Sequence, residues 1–134
     1  MATVKKINHI AIAVSNIEEG LPFWQEALGI TLSHTEEVPS QKSRVGFFPI
    51  GDSEIELVQP TADDTGVARF IEKKGPGLHH LCLEVDNIEE MIVQLLEKGV
   101  KMIDETPHVL EGRKMAFVHP KSTGGVLVEL YEII

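Results

Sequence analysis

An α+β fold built from two tandem βαβββ modules is what this sequence predicts, and three observations carry that prediction. The stretch Ile7 to Glu19 is echoed by Leu78 to Glu90, with His9 answered by His80 at an offset of 71 residues. Each copy opens with a strand-type apolar run and turns at Ser15-Asn16 or Asp86-Asn87, residues that also cap helices. Each then passes into apolar residues spaced by three and four, followed by three more strand-type runs.

In chain order, the first helix is read from Ile17, Leu21, Trp24 and Leu28, with Pro22 near its start and Gly29 as its stop. Strands are expected at Ile30 to Ser33, Val45 to Ile50 and Glu54 to Val58. Thr61 to Gly77 carries Val67, Ala68, Phe70 and Ile71 at partly helical spacing and ends in Gly75-Pro76-Gly77, which predicts a connecting helix and a break. The second helix is read from Ile88, Ile92, Leu95 and Leu96, with Gly99 as its stop. Its strands are expected at Val100 to Ile103, Met115 to His119 and Val126 to Tyr131. One domain, 1–134, is therefore expected, with repeats 5–60 and 76–134 joined by a helical linker, 61–75.

With 43% hydrophobic and 25% charged residues the composition is that of a globular chain able to bury a core. The net charge of −9 argues against a nucleic-acid or anionic-membrane partner, because both need a basic footprint. No stretch has the length of a membrane span and the start lacks a signal-type apolar core, so a cytoplasmic location is expected. Cys82, the single cysteine, lies in an apolar run and reads as a buried thiol in a reducing compartment.

Four residues recur at matching places. His9 and His80 share a register in the two first strands, and Glu56 and Glu129 lie in the matching settings Ile55-Glu56-Leu57 and Val128-Glu129-Leu130. Alternation gives each a definite strand face, so pseudo-twofold packing of the repeats can bring all four to one cavity. Two carboxylates at about 4 Å repel by about 4 kcal/mol at an effective dielectric of 20 unless a cation or proton intervenes. Two imidazoles and two carboxylates suit a divalent transition metal better than calcium, which prefers oxygen alone. His79 should face away from His80, and His34 and His108 are read as surface loop residues. His119 ends a strand close to the expected cavity.

These residues resemble the vicinal oxygen chelate superfamily, to which glyoxalase I, ring-cleaving dioxygenases and antibiotic-resistance proteins belong. A narrower resemblance, to the methylmalonyl-CoA epimerases, is carried by Gly77-Leu78-His79-His80-Leu81-Cys82-Leu83-Glu84-Val85-Asp86 and by His119-Pro120-Lys121 with Gly124-Gly125-Val126-Leu127-Val128-Glu129-Leu130. It implies a glyoxalase-like domain, a homodimer, and an isomerase acting on an acyl-CoA thioester. The implied ligands are His9, Glu56, His80 and Glu129, holding one divalent metal per subunit, with Co2+ favoured and Zn2+, Ni2+ or Mn2+ as alternatives. The implied reaction interconverts (2R)- and (2S)-methylmalonyl-CoA through an enolate.

Such a reaction needs a base on each face of the carbon, and the resemblance makes Glu129 the first. Some family members carry a second glutamate on the strand after the first-half loop, where this sequence has Val45. Glu36 and Glu37 lie just upstream. Lys42, Arg44, Lys114 and above all Lys121, in the motif before the last strand, are candidates for the coenzyme A phosphates or the substrate carboxylate. Competing readings are a glyoxalase I-like lyase acting on a thiol adduct and a non-catalytic small-molecule binding protein.

Overall fold

The computed structural model describes residues 1–134. Its elements are β1 (Val4–Ala13), β2 (His34–Val38), β3 (Ser43–Ile50), β4 (Ser53–Pro60), α1 (Gly66–Lys74), β5 (Gly77–Val85), α2 (Ile88–Glu97), β6 (His108–Leu110), β7 (Arg113–Val118) and β8 (Val128–Ile133). The chain divides into two units, His9–His79, and Met1–Asn8 with His80–Ile134.

In the unit His9–His79, the strands follow the order β2-β3-β4-β1, with β1 parallel to β4 and the other pairs antiparallel. Alternation sends Ile12, Phe48, Leu57 and Ile55 to one face, where they pack with Ile17, Leu21 and Trp24 of the segment after β1. That segment is not the α-helix expected from its apolar spacing. It is a 3-10 turn, Ile17–Gly20, followed by a π-helical turn, Pro22–Ala27. Pro22 has no N–H to give, and the Leu28 amide reaches Phe23 O, one residue further back than in an α-helix. Gly20 allows the close approach: a Cβ there would stand 2.7 Å from Leu57 Cδ1.

The segment starts on two side chains. Asn16 accepts the Glu18 amide, and Gln59 Oε1, from the end of β4, accepts the Ile17 amide at 3.0 Å. Ile30 and Leu32, expected in a strand, instead close this core, and the first pairing residue is His34. The Ile30 amide still bonds Trp24 O, so helical bonding overruns the predicted strand start. Helix α1 forms where a linker helix is expected; Thr65 caps it, and Lys73 and Lys74 lie in its last turn, where cations favour the helix dipole.

The second unit repeats this plan with better helical sequence. Its strands run β5-β8-β7-β6, with β5 parallel to β8. Val85, Ala116, Val118 and Leu130 face α2, whose Ile88, Met91 and Ile92 complete a core that also includes Ala2. Asn87 caps α2 by accepting the Glu90 amide. Glu132 Oε1 takes the Ile88 amide at 2.7 Å, the counterpart of Gln59 in the first unit. Val100 to Ile103, expected as a strand, makes only the isolated bridge Met102 to Val118, because the Val100 amide still bonds Leu95 O at the helix end. The outer strand forms later, at β6, and takes in His108, which the sequence placed in a loop.

Candidate active site

In each unit the paired residues lie on the sheet face opposite the one that packs on the helical segment after its first strand. In the first unit, Ala11 and Phe47 flank Glu56 in register, and His9, two residues before Ala11, shares their side. His9 Nδ1 lies 3.0 Å from Glu56 Oε2, with side-chain exposures of 5% and 13%. In the second unit, Cys82 and Phe117 flank Glu129, and His80, two residues before Cys82, joins it. His80 Nε2 lies 3.0 Å from Glu129 Oε1, and its ring meets Phe117 edge-on with centroids 5.4 Å apart.

Burial explains why these pairs form, since a carboxylate taken out of water needs a partner. No buried side-chain nitrogen or oxygen is left without one. In a neutral imidazole the nitrogen facing the carboxylate carries the hydrogen, which leaves the lone pair on the ring's other nitrogen. Each unit thus offers one nitrogen and one oxygen donor, a set that suits a first-row divalent ion.

The remaining candidates are distributed differently. Lys121 belongs to neither pair; it stands on an exposed 3-10 turn, Pro120–Ser122, and its amide is given to His119 Nδ1 at 3.1 Å. His119 is therefore the cap of that turn. Lys42 pairs with Asp64 at 2.8 Å, Arg44 grips both Glu18 oxygens, and Lys114 holds Glu89 at 2.7 Å. The bond from Lys42 draws the Asp64 carboxyl below its ordinary range, and the one from Lys114 does the same for Glu89. Such exposed pairs are weak and open readily for a competing phosphate. The His79 ring meets Phe70 of α1 edge-on at 5.1 Å, in keeping with a structural role.

His34, like His108, was misplaced by sequence reasoning. It opens β2 rather than lying in a loop; its ring stacks on Phe47 at 4.6 Å and its Nε2 lies 3.2 Å from Glu36 Oε1. His34-Thr35-Glu36-Glu37 has no apolar alternation, so the sequence carried no signal for this strand.

Residues 8–117 match the model of the Glyoxalase/Bleomycin resistance protein/Dioxygenase superfamily. This chain belongs to that superfamily. Membership bears out the α+β reading, and the relatives narrow it. Human mitochondrial methylmalonyl-CoA epimerase is 37% identical over 127 residues, 93% of this chain and 72% of its own. An ethylmalonyl-CoA/methylmalonyl-CoA epimerase of Cereibacter sphaeroides is 31% identical over 97% of this chain and 99% of its own. A solved methylmalonyl-CoA epimerase in complex with methylmalonyl-CoA and NH4+ superposes with a TM-score of 0.90 at 28% identity, covering 98% of this chain and 96% of that one. The resemblance read from the motifs is thereby borne out.

Proposed function

We propose that this chain is a methylmalonyl-CoA epimerase, an isomerase that moves the proton on the carbon between thioester and carboxylate. The observation that carries the reading is the pair of buried His–Glu contacts at repeat-related positions in a chain with full-length epimerase relatives. His9, Glu56, His80 and Glu129 are the proposed ligands of one divalent ion per subunit. The donor chemistry supports a first-row divalent ion, and the family resemblance puts Co2+ ahead of Zn2+, Ni2+ and Mn2+. When bound, such an ion supplies positive charge where negative charge develops as the carbon loses its proton.

The protein's own groups do the rest. Glu129 takes the α-proton through its carboxylate while His80, bonded to it, fixes its orientation. The electron pair of the broken C–H bond spreads into the flanking carbonyl groups. Return of a proton to the opposite side of the carbon completes the inversion. Lys121, on the exposed turn Pro120–Ser122, is proposed to meet the negative groups of the acyl-CoA. A homodimer in the cytoplasm belongs to the same proposal, supported by the resemblance; no helix is long and apolar enough to cross a membrane.

Proton NMR of methylmalonyl-CoA in deuterated buffer tests the reading. Loss of the α-proton signal with metal-loaded protein is the expected result. Absence of exchange under full metal loading would overturn it and favour a lyase acting on thiol adducts.

A further inference from the structure

Of the three arginines in the chain, Arg44 grips Glu18 and Arg69 donates to the Asp64 carbonyl at 3.2 Å. The third, Arg113, is partly buried, yet its guanidinium makes no hydrogen bond and no ion pair within the protein. It lies instead over the Tyr131 ring, 5.9 Å from the centroid and within cation–π reach. Strand register brings that guanidinium beside the His80–Glu129 pair. Phe117, Met115 and Arg113 of β7 stand opposite Glu129, Tyr131 and Ile133 of β8, so all six share the sheet face of the pair. Arg113 starts two rows from Glu129 but leans back over Tyr131, which leaves its guanidinium one row away, about 7 Å along the strand. Glu84, opposite Tyr131 on β5, is already held by Asn8 Nδ2 at 3.1 Å and Lys5 Nζ at 3.6 Å. Every residue of this arrangement belongs to the unit Met1–Asn8 with His80–Ile134.

Resting on the epimerase reading, we infer that Arg113, seated on Tyr131, binds the free carboxylate of the substrate's acyl group and so selects 2-carboxyacyl thioesters over simple acyl thioesters. A guanidinium without an acceptor offers its fork of N–H donors to a carboxylate, a match of shape as well as charge. The spacing decides between that carboxylate and the coenzyme A phosphates. In a malonyl-type acyl group the carboxylate is bonded to the carbon that loses its proton, so its oxygens lie about 2.4 Å from that carbon. With a reacting contact to Glu129 and a hydrogen bond to Arg113, each about 3 Å, the reach is about 8 Å, close to the one-row separation. The phosphates lie beyond the whole pantetheine arm and cannot be met one row from the reacting carbon.

The test is isothermal titration calorimetry of metal-loaded wild type, Arg113→Gln and Arg113→Lys with malonyl-CoA and with propionyl-CoA, circular dichroism being used to verify the fold of each variant. The two thioesters share the coenzyme and differ in the acyl carboxylate. Wild type should bind malonyl-CoA more tightly than propionyl-CoA. Arg113→Gln should weaken malonyl-CoA about 10-fold to 100-fold and leave propionyl-CoA within about twofold. Arg113→Lys, which keeps the charge without the fork, should lose less. No preference in wild type, or Arg113→Gln weakening both thioesters equally or neither, would overturn the assignment while leaving the epimerase reading intact. A metal-loaded wild type that binds neither thioester would sink the epimerase reading itself, and the assignment with it.

Discussion

At the residue scale, a few buried polar pairs dominate the chemistry because the folded chain gives them no water to fall back on. His9→Ala would leave the Glu56 carboxylate without its imidazole in a mostly buried place, and a loss of about 3 kcal/mol or more is expected from urea unfolding. Glu129→Gln keeps the shape of the side chain and removes the proton acceptor. Its epimerisation rate is expected to fall about 100-fold to 10,000-fold, with an unchanged circular dichroism spectrum. Asp86 belongs to a different class, since it is exposed and acts on stability alone. The Thr3 amide and hydroxyl both donate to it and hold its carboxyl below the usual 3.8. A depressed folded value means that the stabilisation is present above the unfolded value and is lost as pH falls through the folded one. The difference in urea midpoint between wild type and Asp86→Asn should therefore shrink on going from pH 7 toward pH 3.

At the element scale, each unit fastens the start of its helical segment with a side chain from its last strand. Glu132→Ala frees the Ile88 amide from a charge-assisted bond, and a loss of about 1.5–3 kcal/mol is expected in chemical unfolding. Gln59→Ala removes the neutral counterpart and should cost less. The same scale explains where the sequence reading fell short. Apolar spacing found the segment Ile17 to Leu28 but not its geometry, because Gly20 and Pro22 act through backbone bonding and through contact with Leu57, which spacing does not record. Strand β2 carries His34, Thr35, Glu36 and Glu37 with no apolar alternation, so only its pairing with β3 defines it. Gly20→Ala should destabilise the protein by about 1–3 kcal/mol, since the added methyl has to push Leu57 aside.

At the scale of the whole molecule, the two repeats have diverged in their helices while keeping one histidine and one carboxylate each. The proposed shared ion makes stability depend on both. Adding Co2+ at about 100 times its dissociation constant should stabilise the fold by about 2.7 kcal/mol, read as a rise in unfolding temperature that His9→Ala abolishes. The repeat and the strands carrying His9 and His80 were legible in the sequence, because duplication leaves identical residues at a constant offset and alternation then assigns their face. Superfamily membership was legible for the same reason, through motifs around His80 and Glu129. Partner choice was not: that His9 meets Glu56 through Nδ1 and His80 meets Glu129 through Nε2 follows from strand register and ring orientation. Only the tertiary structure moved His34 from a presumed loop to a strand edge beside Glu36 and Phe47, because edge pairing depends on the neighbouring strand and leaves no period of its own in the chain.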